Sequence, residues 1–317
     1  MTAPVYLCAP AYRHGALHDI GGIAALRADP DLLETLRALG LQTYATCSRA
    51  ELFDLAAAAA GDVLRACALD ACDVDAIVYP STCYFTGDTT NDPNGAGALL
   101  GHVVAALGMP HALPYGISFA RCVNTVHAVE LCRGLIAAGR HRNILVLAAD
   151  AMQGDFPRIV DPGISVVSDV ASCLLVSAQP QSGVAYRVDA IRDHVDWSLA
   201  NLSAQSNFPD FLKKTVGGMA ALARKLLQAG QGSVADHAQL ITNTVNRSVL
   251  RIFSQATGFA PADIFSANIG KLGHCDGSDL IVNLADYSAP RQVRESVLAI
   301  ANGPYLWGGM ALTRVLP

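Results

Sequence analysis

Apolar residues in this chain gather in short runs, separated by longer stretches in which they recur every three or four positions. The short runs read as strands covered on both faces and the longer stretches as helices; their alternation predicts an α/β fold. Candidate strands are Val5 to Cys8, Ala76 to Tyr79, Tyr115 to Phe119, Ile144 to Ala149, Ser165 to Val176, Val184 to Ile191, Gln239 to Thr242, Ser296 to Ala301 and Ala311 to Val315. One helix starts at "SRAE", where Ser48 and Glu51 have the spacing of a capping box. Others are "NGAGALLGHVVAALG", the stretch from Cys122 to Gly139, "FLKKTVGGMAALARKLLQAG", "NRSVLRIFSQAT" and "GSDLIVNLADY". The polar segment "SAQPQSGVAY", with Pro180 and Gly183, marks the best boundary, between residues 1–178 and 183–317. Each half carries a strand, a helix and a strand in the same order.

Composition narrows the class. The chain has 317 residues, enough for two packed halves. With 52% hydrophobic and only 15% charged residues, a membrane protein would fit if the apolar runs were long. The longest, "NILVLAADAM" and "ASCLLVSA", fall short of the roughly 18 residues that cross a bilayer. The N-terminal "MTAPVYLCAPAYRHG" lacks the order of a secretion signal, so the cytoplasm is the expected location and no membrane is expected as a partner. A net charge of -5 without a block of Lys or Arg gives no footprint for nucleic acid. Nine cysteines, an odd number without CxxC pairs, fit reduced thiols.

One cysteine stands apart. In "SFARCVNTVHAVELCRGLIAAG", Cys122 lies where a strand passes into a helix. Helix N-termini carry unsatisfied N–H groups and about half a positive charge, which stabilises a thiolate, and Arg121 pushes the same way. A nucleophile with a lowered pKa is one reading; a buried, inert cysteine is the other.

The run from Ser118 to Asp150, followed by "VVSDVASCLLVSA" and the terminal "NGPYLWGGMAL", resembles the β-ketoacyl-ACP synthase III branch of the thiolase superfamily. The likeness runs from about residue 50 to the C-terminus, while the first 45 residues match poorly. It rests on the turn at Cys122, the "SDVASC" strand from Ser168 to Cys173 and the glycine-rich turn from Asn302 to Gly308. The resemblance implies a five-layered αβαβα thiolase-like fold, a homodimer, and an acyl-enzyme formed on Cys122 from a CoA or acyl-carrier-protein thioester. It also implies an oxyanion hole made of the Cys122 and Gly303 amides. No resident cofactor or metal follows from it; the phosphopantetheine arm arrives with the substrate.

Two motifs depart from that branch. Its "His-Gln-Ala-Asn" reads "NTVN" here, with Asn243 at the histidine position and Asn246 at the later asparagine, assigned to substrate contact. Its "Gly-Asn-Thr-Ser" reads "GHCD", with His274 at the asparagine position. The exchange moves the group that can accept a proton near neutrality to the other side of the cavity. Asp276, two residues on, is placed to orient the ring as a triad carboxylate does, or to cap the following helix. His274, Cys275 and Asp276 do not read as a metal cluster, because adjacent side chains diverge. Tyr84 and Phe85 belong to the expected tunnel lining, or to ordinary interface packing.

These departures favour a Cys-dependent acyltransferase of the kind found in natural-product pathways, with Cys122 as nucleophile, His274 as base, Asp276 and Asn243 in support, and a small hydroxyl or amine as acceptor. The alternatives are a decarboxylative β-ketoacyl synthase and a non-catalytic subunit that binds a carrier protein.

Overall fold

The computed structural model describes residues 4–81, 95–152, 157–160, 163–200, 207–230, 232–288 and 295–315. Its centre is a nine-stranded sheet. The strands are β1 (Tyr6–His14), β2 (Ala76–Pro80), β3 (Leu113–Ile117), β4 (Asn143–Asp150), β5 (Val170–Ser177), β6 (Ala185–Val195), β7 (Gln239–Thr242), β8 (Ser296–Asn302) and β9 (Leu306–Val315). In space they run β7-β8-β9-β6-β1-β5-β4-β2-β3. The long helices are α1 (Arg49–Cys67), α2 (Ala96–Leu107), α3 (Asn124–Ala137), α4 (Phe208–Gly230), α5 (Arg247–Thr257) and α6 (Asp279–Ser288).

The two halves use these elements in one order. Strand, helix, strand and helix lead to β3 in the first half; in the second, β6, α4, β7 and α5 lead to a single parallel bridge between Ile264 and Leu240. A helix follows, α3 or α6, and then an antiparallel pair, β4 with β5 or β8 with β9. β1 joins the halves by pairing antiparallel with both β5 and β6.

Alternation along the strands sorts the core into layers. Ile144 and Val146 face a central core with α3 and α6, while Leu145 and Leu147 face α1 and α2. In the second half, Val297 and Ala299 face the central core, and Leu298 and Ile300 face α4 and α5. Strands with helices on both faces have no polar side, which accounts for their unbroken apolar runs. The layers are therefore helix, sheet, helix, sheet, helix, both sheet layers being parts of the one nine-stranded sheet.

Local chemistry sets several boundaries. The Ser48 hydroxyl accepts from the Glu51 amide at 3.2 Å and the Glu51 carboxylate accepts from the Ser48 amide at 2.7 Å, closing the capping box that starts α1. The strand expected at Tyr115 to Phe119 instead ends at Ile117, because the backbone turns at Phe119 with φ +76°. The last strand starts five residues before the expected Ala311, since Leu306 to Met310 pair with β6 and β8. No helix among the described residues is long and apolar enough to cross a membrane, and the eight cysteines among them are free thiols.

Gly218 in α4 lets the helix approach the fully buried Trp307, for an added Cβ would lie 2.4 Å from the indole. Overpacking costs about 1–3 kcal/mol, against about 1 kcal/mol gained in helix propensity. Gly218→Ala is therefore expected to lower stability by about 1 kcal/mol, read as a fall in the urea midpoint with unchanged slope.

Candidate active site

Cys122 and His274 stand at corresponding points of the two halves, in the turns that lead into α3 and α6. After β3 the chain passes through positive φ at Phe119 (+76°) and Arg121 (+49°), and residues Arg121–Val123 form a 3-10 turn into α3. Non-glycine residues in this region cost of order 1–3 kcal/mol each, so the turn is held from outside. Asn124 holds it: its side chain accepts from the Ala120 amide at 2.9 Å and donates to the Ser81 carbonyl at 2.7 Å. Arg121, expected to favour the thiolate, is exposed, and the groups that set the thiol's ionisation are His274, Asp276 and Asp279 together with burial.

The segment bearing His274 is docked on the first half. Its amide donates to the Val166 carbonyl at 2.7 Å and its carbonyl accepts from the Ser168 amide at 2.8 Å. Gly273 adopts φ +61°, and a Cβ there would meet the Val166 oxygen at 2.5 Å, so only glycine allows this approach. The "SDVASC" strand supplies the rest of the latch. The Ser168 hydroxyl donates to the Leu272 carbonyl, and the fully buried Asp169 receives both guanidinium nitrogens of Arg158 at 2.8 Å. A further link, from the Thr125 hydroxyl to the Gly277 carbonyl at 2.5 Å, ties α3 to the turn before α6.

These supports bring His274 Nε2 within 3.3 Å of the Cys122 sulfur, both residues being 8% exposed. The other ring nitrogen, Nδ1, lies 2.5 Å from Asp279 Oδ2. Asp279 is buried, yet each oxygen is satisfied: Oδ2 also accepts from the Thr244 amide at 2.9 Å and from Asn243 Nδ2 at 3.2 Å, and Oδ1 accepts from the Cys275 amide at 2.8 Å. The carboxylate that orients the imidazole is thus Asp279, not Asp276. Asp276 takes φ +47° in a 3-10 turn (Asp276–Ser278) and presents Oδ1 to Nε2 at 3.5 Å, on the sulfur's side of the ring. It does not cap α6, and its Oδ2 is buried with no hydrogen-bond partner among the described residues.

Other expected residues take other roles. Asn243 is part of the support: besides its bond to Asp279, its Oδ1 accepts from the Asn302 amide at 2.6 Å, joining the carboxylate to the glycine-rich turn. Asn246, assigned to substrate contact from the motif, is the N-cap of α5: it is buried, accepts from the Ser248 and Val249 amides and donates to the Gly163 carbonyl. The Gly303 amide donates to the Leu306 carbonyl at 2.8 Å, closing the hairpin between β8 and β9, and is not free for an oxyanion. Gly303 nevertheless packs beside the nucleophile turn, where a Cβ would lie 3.2 Å from the Ala120 oxygen. Tyr84 and Phe85 lie outside the described residues. At the rim, Phe119 is 74% exposed, Tyr305 donates to its carbonyl, and Trp197 stacks on Tyr305 at 4.4 Å.

The electrostatics reverse the expectation of a low thiol pKa. Burial pushes the Cys122 thiol up; His274 opposes this, and Asp276 and Asp279 reinforce it. Burial alone disfavours a charged His274, but Asp279, the Cys122 sulfur and the bonds to both carboxylates outweigh it and hold the ring well above its ordinary value. The pair therefore keeps its protons to higher pH, and alkylation of Cys122 is expected to accelerate as the medium turns alkaline. Because the Asp276 carboxylate raises both groups, Asp276→Asn should move that profile to lower pH; peptide-mass measurement of iodoacetamide labelling across pH checks it.

No family model and no curated protein sequence matches the chain. Solved structures do. ChlB3, described as an acyltransferase, superposes with a TM-score of 0.82 at 17% identity, covering 99% of this chain and 98% of the other. The 3-oxoacyl-[acyl-carrier-protein] synthase III of Aquifex aeolicus gives 0.75 at 17% identity, over 98% and 99%. AbyA1, described as a tetronic acid condensing enzyme, gives 0.76 at 15% identity, over 97% and 99%. The likeness includes the first 45 residues, whose sequence matches poorly. The chain has the thiolase-like fold of the synthase III structures.

Proposed function

We propose that this protein is a Cys-dependent acyltransferase, taking an acyl group from a carrier-protein or CoA thioester onto Cys122 and passing it to a hydroxyl or amine. The observation that carries this reading is the buried line Cys122, His274, Asp279, with contacts of 3.3 and 2.5 Å. Once the medium is alkaline enough for His274 Nε2 to lose its own proton, it takes the thiol proton as sulfur attacks the thioester carbonyl. The tetrahedral adduct collapses, and the departing pantetheine thiolate takes that proton from Nε2. In the second half-reaction Nε2 removes the acceptor's proton while its oxygen or nitrogen attacks the acyl-cysteine. Collapse returns the thiolate, which His274 reprotonates. Asp279 remains ionised throughout, holding the tautomer and offsetting the imidazolium charge.

Asp276 favours this chemistry over decarboxylative condensation. A malonyl donor would bring its carboxylate towards that of Asp276, which stands 3.5 Å from His274 Nε2, and like charges brought together at low dielectric are costly. A neutral hydroxyl or amine acceptor meets no such repulsion. A second copy of the chain is the expected partner along β3, the sheet edge, where Leu113 is 49% exposed.

The test incubates the protein with labelled acyl thioesters and reads the mass added at Cys122. Release of the label to an alcohol or amine supports the proposal; transfer to malonyl-carrier with loss of carbon dioxide would overturn it.

A further inference from the structure

Cys122 Sγ, His274 Nε2 and an oxygen of Asp276 all lie within 4.8 Å of one another. The sulfur is 3.3 Å from Nε2, and Nε2 is 3.5 Å from Asp276 Oδ1. Zinc binds thiolate sulfur at about 2.3 Å and imidazole nitrogen or carboxylate oxygen at about 2.0–2.2 Å, so tetrahedral geometry separates neighbouring ligands by roughly 3.4–3.6 Å. The two spacings match those edges to within about 0.3 Å. The supporting shell also has the form of a zinc site. Nδ1 faces a buried carboxylate, which fixes the ring and leaves Nε2 for a metal. The buried Asp276 Oδ2 has no partner among the described residues, and the turn that carries it is held at positive φ.

We propose that Cys122, His274 and Asp276 form a three-ligand site for a zinc ion, with the fourth position open, and that zinc reversibly blocks the nucleophile. Binding replaces the thiol proton, which leaves to solvent, with a sulfur–zinc bond; nothing is oxidised or reduced. Thiolate and imidazole ligands favour zinc over magnesium or calcium, which take oxygen donors. Cys275 is not a ligand, since its sulfur turns to the Gly273 carbonyl. The sequence concealed the set because its third member comes from 152 positions away. The proposal stands apart from the acyl-transfer reading: a cysteine at this site binds zinc whichever reaction it performs.

The experiment titrates the metal-free full chain with zinc against a chromophoric chelator, and separately with cobalt, whose thiolate charge-transfer band reports a Cys ligand. One tight equivalent is expected, together with the cobalt band. Saturating zinc should slow iodoacetamide labelling of Cys122 about tenfold or more, and EDTA should restore it; Cys122→Ser and the near-isosteric Asp276→Asn should each weaken zinc about tenfold to a hundredfold or more. His102→Asn, which removes an exposed His–Asp pair 3.0 Å apart, should change nothing. Failure of the wild type to bind a stoichiometric ion, or unchanged affinity in both Cys122→Ser and Asp276→Asn, would overturn the proposal. The acyl-adduct assay is read independently, so either result can fail alone.

Discussion

His274→Ala is expected to cut acyl-transfer turnover by roughly a thousand- to ten-thousand-fold while leaving the fold intact. Two steps depend on the imidazole, removal of the thiol proton and removal of the acceptor proton, and no other ring lies within bonding distance of the sulfur among the described residues. The loss should be larger than for an isolated cysteine deprived of a base, because burial and two carboxylates push this thiol up. Stability should change little. Asp279 keeps three donors without the ring, the amides of Thr244 and Cys275 and the side chain of Asn243, so truncation does not leave a naked buried charge. Stopped-flow acylation and steady-state turnover read the two steps, and a urea titration reads the fold. Added imidazole should restore part of the rate by filling the space. A variant that turns over at the wild-type rate would remove the base from the mechanism.

The layered fold was legible because strands covered on both faces leave unbroken apolar runs, and the Ser48–Glu51 capping box was legible because both partners are local. Cys122 and His274 could be placed from motif order. The orienting carboxylate could not. Choosing between Asp276 and Asp279 depends on the backbone sign at Asp276, and positive φ at a non-glycine residue leaves no mark in sequence. With φ at +47°, the Asp276 side chain swings to the sulfur's side, and the 3-10 turn brings Asp279 under Nδ1. The role of the Gly303 amide is hidden for a similar reason. Glycine suits both an oxyanion hole and a hairpin turn, and only the bond to Leu306 decides. The Arg158–Asp169 pair that latches the first half beneath His274 is not legible either, since a buried ion pair and an exposed one look alike in sequence. For the thiol itself, the sequence displayed the helix start but not the burial, and burial is the larger effect.

Asp279→Asn should separate the two carboxylates by function. An amide nitrogen in place of either oxygen meets a donor already present, the Cys275 amide on one side or the Nδ1 and Thr244 donors on the other. One of them is left unpaired in a buried site, at a cost of about 1–3 kcal/mol. If the amide nitrogen faces the ring, Nδ1 gives up its proton and Nε2 carries it, so the nitrogen facing the sulfur can no longer act as a base. Turnover is then expected to fall by roughly a thousand- to ten-thousand-fold, as when a triad carboxylate is neutralised. Asp276→Asn removes a charge but leaves the tautomer intact. Its expected loss is smaller, roughly tenfold to a hundredfold, with the profile displaced to lower pH. Side-by-side kcat–pH curves with urea midpoints make the comparison. If Asp276→Asn proves the crippling change and Asp279→Asn turns over normally, the ring is oriented from the sulfur's side, and the buried Asp279 is a structural anchor for α6 alone.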